Sequence, residues 1–464
     1  MRRVRKIGIS ISILMTVVVV IGFWATTPVD RTPYFKSDYY KNGCDQMEKL
    51  AQKYTEENDS LMAGFAKVSI TPKLNSTENN NTTGEFTNLP LSGFSSRKGA
   101  SATGIHDSIF VKAAALKINE KLIVFIGADL LIIPPNITDS IMVKLGEKGY
   151  KREQLFFSAS HTHSSLGAWG QGWVGEQFAG EYNAKLVEWL TLQFAVVVQK
   201  AVADLKPAEI GTGDFNAKDY TRNRLIGELG TKNDDFSFIY LKQTNGKKAV
   251  IGSFSAHSTT MGDKNMEISG DYPGYWQRKM EKTTVDYALF FAGSVGSQTH
   301  RGEGEGFEKP KFIGEALADS LNTYLQKTEL SPTVSLSSVS LKLQLPDYNI
   351  RLTTKTNLST FLCQKINPVP DNAYLQVAKL GNMIWITTPS DFSGEYALQI
   401  KNNLAAKGFK ANISSFNGSY LGYIIPGKYF YLDKYEPKTM GWFGPNMGDY
   451  TMDLIHQLTK IVVE

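Results

Sequence analysis

Leu155-Phe156-Phe157-Ser158-Ala159-Ser160-His161-Thr162-His163-Ser164-Ser165 is an apolar run that stops abruptly in two histidines set among small hydroxyl residues. The apolar half has the length and composition of a buried strand. The polar half passes into a loop of glycines and tryptophans. Open α/β proteins present chemistry this way, at the carboxyl end of a strand where the backbone leaves the sheet. If the strand continued, His161 and His163 would project from one face, because side chains alternate with a period of two, and both could reach one ion or one substrate. A His-x-His pair also reads as the polar rim of a sheet, so this pattern alone leaves the metal role and the structural role open.

The same grammar recurs along the chain. Residues 249–256 are apolar and end in His257-Ser258-Thr259-Thr260, and residues 287–292 run into Gly293-Ser294-Val295-Gly296-Ser297-Gln298-Thr299-His300-Arg301. A second buried strand closing in histidine and hydroxyl residues argues against mere decoration. The glycine turn either brings backbone N–H groups close to an oxyanion or phosphate, or is a plain tight turn. Residues 63–72 alternate as a strand up to Pro72, and 109–118 and 122–133 read as two more, the last apolar enough to be buried on both faces, with Asp129 as a cap. A long amphipathic helix is predicted over 181–205, strands over 209–213 and 236–242, and a helix from Asp271 as N-cap. In the last third, strands over 333–344, 373–380, 383–388 and 410–416 surround a helix ending near 407, with Asp391 in the place of its cap. An aromatic tract follows from Tyr420 to Phe443.

At 464 residues the chain is several times the usual ~100–150-residue domain. No repeat, heptad or low-complexity linker divides it. The expectation is a single large α/β catalytic domain over 62–464, layered, with mixed sheets flanked by helices. Composition is ordinary for a globular protein, 42% hydrophobic and 20% charged. Of the net charge of +5, four positive charges belong to Arg2, Arg3, Arg5 and Lys6, and no basic run carries interleaved aromatics, so nucleic acid is excluded as a partner.

Those four charges precede residues 7–24, an uncharged and mostly apolar run of 18 residues. This is an export signal near the ~20 residues that span a bilayer as a helix. Phe23-Trp24-Ala25-Thr26-Thr27 lacks a small-x-small cleavage site, which favours an uncleaved signal anchor in 1–28 over a cleaved signal peptide. The positive-inside rule then places the chain beyond about residue 30 outside the cytoplasm, anchored to the membrane or, if cleaved, secreted. Residues 29–61 read as a stalk or first helix. Cys44 and Cys363 form one disulfide or remain two free thiols.

In order along the chain stand Gly64 to Pro72, Gly104-Ile105-His106-Asp107, Ser158 to Ser164, Asn223-Arg224, Phe254-Ser255-Ala256-His257-Ser258-Thr259 and Ile268-Ser269-Gly270-Asp271. That succession resembles the catalytic domain of the neutral/alkaline non-lysosomal ceramidases, from about Gly64 almost to the end, with His-Thr-His-Ser its most specific block. Members of that family are zinc amidases that split ceramide into a sphingoid base and a fatty acid. The resemblance implies a layered α/β catalytic domain. It implies an immunoglobulin-like domain after it, for which the expectation here leaves no room.

It further implies zinc ligands at His161, His257, Asp391 and Tyr423. Asp391, in Pro389-Ser390-Asp391-Phe392, stands where the family has glutamate, so the segment must lie closer to the metal or a water must bridge. Tyr423 follows from Tyr420-Leu421-Gly422-Tyr423, with Tyr435-Glu436 at the expected spacing. His163 and Arg224 match positions that contact the substrate amide or the product carboxylate. Where ceramidases have Gly-Asp-Val-Ser-Pro-Asn, Ser297 replaces the aspartate and Thr299 the proposed catalytic serine. Thr299 is therefore expected as a hydrogen-bond donor near the site.

Two histidines, a carboxylate and a phenolate can hold Zn²⁺ and leave a position for water, whose pKa the ion lowers from 15.7 toward ~7. The expected activity is zinc-dependent hydrolysis of the amide of ceramide or a related N-acyl lipid, at a membrane surface that the enzyme shares with its substrate. The alternatives are a zinc hydrolase of another amide or ester, such as an N-acyl amino acid or a cell-wall fragment, and a non-catalytic surface binding protein. An apolar groove beside His163 and Trp169 favours the lipid. The loop holding Asp107 is expected to border the pocket.

Overall fold

The computed structural model describes residue 22 and residues 24–464 except 368 and 371. The expected membrane span over 7–24 thus lies, apart from its end, outside the described residues. One described helix, Ala184–Ala203, is long and apolar enough to cross a membrane, but Leu186, Leu190, Phe194 and Val197 are buried in the core.

Eight strands form a large sheet in the spatial order Tyr287–Ala292, Lys248–Phe254, Asp235–Gln243, Lys206–Asn216, Met62–Ser69, Phe110–Ile118, Lys121–Ala128 and Leu155–Ala159. Neighbours run antiparallel except at the two edges, where the outermost pairs are parallel. Every residue of both edge strands is buried, which explains their unbroken apolar sequence. The sheet curls until these edges face each other. Phe125 meets Phe291 at 6.0 Å, and a side chain at Gly127 would lie 2.4 Å from Leu289 Cδ1.

A second sheet has the order Glu57–Ser60, Thr333–Lys342, Tyr374–Leu380, Met383–Thr387 and Lys410–Ser414. Its last strand seals the gap between the large sheet's edges. Ser415 N donates to Ala292 O at 3.0 Å, and Ser158 Oγ donates to Ser415 O at 2.8 Å. Phe125, Phe156, Phe291, Leu336 and Trp385 share the core between the two sheets. Helices Pro135–Gly146 and Ala184–Ala203 cover one part of the large sheet, and Asp271–Thr283 and Glu308–Leu325 another. Gly394–Ala405 and Met447–Val463 lie on the small sheet. The result is a mixed α/β fold of several mixed sheets flanked by helices.

Residues 29–61, expected as a stalk or first helix, are built into this body. Helix Asp38–Lys53 buries Met47 in the small-sheet core, and Glu57–Ser60 is that sheet's edge strand. Cys44 and Cys363 are both free thiols.

Three cap readings are corrected. The run 122–133 leaves the sheet after Ala128, and the Asp129 carboxylate accepts from Phe110 N at 2.9 Å and Gln277 Nε2 at 2.9 Å, tying a strand to a helix rather than capping one. Gly270, not Asp271, is the N-cap, since the Asp271 carboxylate turns back to Thr260 N and Oγ1 at 3.1 and 2.7 Å. Ser393, not Asp391, caps helix Gly394–Ala405, accepting from Glu395 N at 3.2 Å, which leaves Asp391 to another task.

Candidate metal centre

The sealed end of the curled sheet gathers the histidines. Strand Leu155–Ala159 stops two residues before His161, whose φ of 60° is left-handed. A non-glycine residue there costs energy and is held by its surroundings. The expected strand alternation is therefore not what brings His161 and His163 together. A turn does it, and their Nε2 atoms end 3.3 Å apart. The His163 ring fills space that only a glycine leaves, because a side chain at Gly93 would lie 2.4 Å from its Nδ1.

His257 follows strand Lys248–Phe254, next to the opposite edge strand of the sheet, and its ring lies 4.4 Å from that of His161, centroid to centroid. The Nδ1 of His161 faces Leu131 O at 2.7 Å, and the Nδ1 of His257 faces Val295 O at 2.8 Å. A carbonyl only accepts, so Nδ1 carries the proton in both rings and each Nε2 presents a lone pair, the arrangement that metal-ligating histidines use. Phe416 stacks on the His161 ring at 4.3 Å and fixes its plane.

Asp391 and Tyr423 arrive from the other side as direct partners in a two-residue parallel ladder, Asp391–Phe392 against Tyr423–Ile424. Asp391 Oδ1 stands 3.6 Å from His161 Nε2 and 3.4 Å from His257 Nε2, and Tyr423 Oη is 3.2 Å from His257 Nε2. Ligands ~2.0–2.2 Å from a tetrahedral zinc lie roughly 3.3–3.6 Å from one another, so these separations suit one ion. Asp391 Oδ1 is buried without a hydrogen-bond partner, while Oδ2 accepts from Tyr420 Oη at 2.7 Å. An orphaned, fully buried carboxylate oxygen facing two imidazole lone pairs is a position that a cation satisfies. The Asp391 segment packs tightly on the glycine turn. Gly296 N donates to Phe392 O at 2.8 Å, and a Cβ on Gly296 would sit 2.4 Å from Asp391 O.

Burial sets the charge of these donors. Burial, with Arg224 nearby, pushes the His161 imidazolium down to about 3, and burial holds His163 and His257 well below the ordinary value. All three rings are neutral. Burial raises the Asp391 carboxyl to about 7, against the pull of Tyr420 and Arg224. The Tyr423 phenol is pushed well up by burial, opposed by Arg224.

Arg224 is brought in by the ladder of Thr221–Asn223 with Gln298–His300. One Nη donates to Tyr423 Oη at 2.8 Å, and its Nε lies 3.0 Å from Glu436 Oε1. The guanidinium expected to contact the substrate amide or the product carboxylate is thus already engaged with Tyr423 and Glu436. Thr299 pairs through its backbone with His257, and its side chain is not among those lining the cavity. Ser297 Oγ accepts from Gly394 N at 3.0 Å. The Asp107 loop does not border the pocket either. Its carboxylate is taken by Ser269, Gly270 and Arg278.

His161, His163, Asp391 and Tyr423 open onto a cavity of about 340 Å³ whose apolar wall includes Leu131, Trp169, Val174, Phe178, Met440 and Trp442. Sequence reasoning missed what holds the ligands: Tyr420 on Asp391, Glu436 on Arg224 and Phe416 under His161. The aromatic tract was the signal for Tyr420, but nothing local assigns it a partner.

Residues 77–300 match the family model for the N-terminal part of neutral/alkaline non-lysosomal ceramidases. A 244-residue stretch is 25% identical to the neutral ceramidase of Pseudomonas aeruginosa, covering 46% of this chain and 35% of that relative, so the match spans about a third of its length. The crystal structure of neutral ceramidase from Pseudomonas aeruginosa superposes with a TM-score of 0.73 at 17% identity, over 88% of this chain and 75% of that one. A ceramidase complexed with C2 superposes with a TM-score of 0.74 at 18% identity, over 87% and 75%. These two likenesses show the fold. His161, His163, Arg224, His257 and Thr299 lie inside the matched family segment, and Asp391 and Tyr423 lie beyond it.

Proposed function

Because residues 77–300 match the family model of the neutral/alkaline non-lysosomal ceramidases, we propose that this chain is a zinc-dependent amidohydrolase acting on the amide bond of ceramide or a related N-acyl lipid. The observation that carries the reading is the set of converging donors, His161, His257, Asp391 and Tyr423, three of which, all but His257, line an apolar-walled cavity. Zinc in that set supplies Lewis-acid polarisation of the scissile carbonyl and a water acidified toward ~7.

The chain's own groups divide the remaining work. His163 faces the cavity with a neutral ring, placed to hold a proton on the developing oxyanion or pass one to the leaving amine. Arg224, held by Glu436, fixes the Tyr423 oxygen and keeps positive charge beside the reacting carbonyl. Trp169 and Phe178 line the wall against which an acyl chain lies.

The test is the metal content of the full chain together with fatty-acid release from an N-acyl sphingosine in mixed micelles. One zinc per chain, with turnover abolished by a chelator and restored by zinc, is the expected result. Amide turnover untouched by chelation, or a chain without tightly bound metal, overturns it. Turnover of N-acyl amino acids but of no N-acyl sphingosine moves the substrate to the small-amide alternative.

A further inference from the structure

We infer that the rim of the cavity is a membrane-docking face, seated on a phospholipid bilayer at the point where the apolar run 7–24 meets the folded domain. The inference rests on the lipid-amide reading above and adds the route by which substrate arrives. Trp24, the last residue of that run, packs on Phe361 with ring centroids 5.2 Å apart. Thr26–Pro28 pairs antiparallel with Thr356–Leu358 immediately before helix Thr360–Ile366. The exit of the apolar run is therefore fastened to this helix by a short ladder. Directly after the helix come Asn367, Val369 and Pro370, which line the cavity mouth, and helix Gly172–Ala179 packs beside it and lines the mouth with Val174 and Phe178.

What these elements expose is unlike an ordinary wet surface. Trp24 is 58%, Phe361 53% and Trp173 66% exposed, three large apolar side chains carried by, or packed on, the two helices that adjoin the mouth. Lys365 reaches over the Phe361 ring at 5.7 Å, and Arg31 donates to Thr354 O at 3.3 Å in the neighbouring turn. Helix Thr360–Ile366 carries no acidic residue. Aromatic rings with basic side chains beside them suit the interface between acyl chains and anionic headgroups. The cavity itself, about 340 Å³, is near the small end of ligand pockets, ~300–1,000 Å³, so it accepts the amide and the first part of the chains of a long lipid. The remainder stays outside the mouth, where a bilayer shields it from water.

The chain's seven tryptophans make the test direct, because Trp24 and Trp173 are exposed and the other five are buried. The full chain is reconstituted into vesicles of brominated phosphatidylcholine with phosphatidylglycerol, beside a Trp173→Phe variant whose fold is checked by circular dichroism. An anchor at 7–24 would by itself expose Trp24 to the quencher, so Trp173 decides. A fraction of the quenching that disappears in Trp173→Phe is the expected result. Quenching unchanged by Trp173→Phe, with Trp173 still open to aqueous acrylamide, overturns the docking face. Protection of Trp173 that appears only on raising the protein-to-lipid ratio assigns the face to a second copy and overturns it as well. The readout needs neither zinc nor turnover. Amide hydrolysis in micelles without bromolipid quenching of Trp173 sinks the docking face and leaves the proposed function standing, and quenching without turnover does the reverse.

Discussion

His161 and His257 follow strands of the large sheet that are buried almost throughout, whereas Asp391 and Tyr423 belong to a ladder of two residues a side, outside both sheets. The histidines are aimed by backbone carbonyls and by a left-handed turn, so their placement is a property of the scaffold. The carboxylate and the phenol are aimed by other side chains, Tyr420 and Arg224, with Glu436 behind the latter. One half of the site is rigid by packing and the other by polar contacts, so the two halves respond differently to substitution.

The largest effect is expected at the rigid half. His161→Ala or His257→Ala removes a donor that nothing else can replace, and zinc affinity, measured by competition with a chromophoric chelator, falls by more than ~100-fold. Retention of wild-type affinity in either variant breaks the comparison at its root.

Asp391→Asn keeps the shape and removes the charge, and a loss of ~100-fold in affinity is expected. It also changes the pH dependence. The imidazoles are already neutral, His161 down to about 3, so the protons that compete with the metal are that of Asp391, at about 7, and that of the Tyr423 phenol, which burial pushes well up. Apparent zinc affinity therefore rises more steeply with pH below about 7 than above it, and Asp391→Asn removes that break in the slope. The stability of the metal-free protein has the opposite sign. A carboxyl raised from 3.8 to about 7 in the folded state stabilises most below 3.8, and that contribution is lost as pH rises through about 7. Thermal melts of the metal-free chain across that window check it.

Tyr420→Phe removes only the hydrogen bond to Asp391, and a loss of ~10-fold in zinc affinity is expected. An unchanged value would show that the ladder alone positions the carboxylate. His163→Ala sharpens the division further. Zinc content is kept while turnover of the loaded enzyme falls by ~100-fold or more. Loss of zinc as complete as in His161→Ala would instead make the ligand set the three histidines, whose ring nitrogens lie within 4.8 Å of one another. The smallest effect is expected at His106→Ala. His106 stacks on Phe307 at 3.4 Å and bonds Tyr275, away from the cavity, so zinc content stays unchanged and stability shifts by under ~1 kcal/mol.

The strands ending at Ala159, Phe254 and Ala292 were legible because apolar runs closing in polar residues mark buried strand ends whatever the fold around them. The two histidines of the metal set stood out for the same reason. Asp391 reads locally as a cap, since Pro-Ser-Asp before a helix is what a cap looks like; the family resemblance pointed to it as a ligand, and the structure shows Ser393 taking the cap position. Arg224 was legible as a site residue but not as one half of a pair with Glu436, over two hundred positions away.

By itself the sequence determined the class of the fold, the strand ends that carry His161 and His257, and the donor chemistry available for a metal, because periodicity, burial and ligand type are local properties. Only the tertiary structure decided that these ends meet. Strand curl is summed over eight strands, the edge gap is closed by Ser415 from the other sheet, and the parallel register sets Asp391 beside Tyr423. Each depends on contacts between residues far apart along the chain, and no local pattern encodes such contacts.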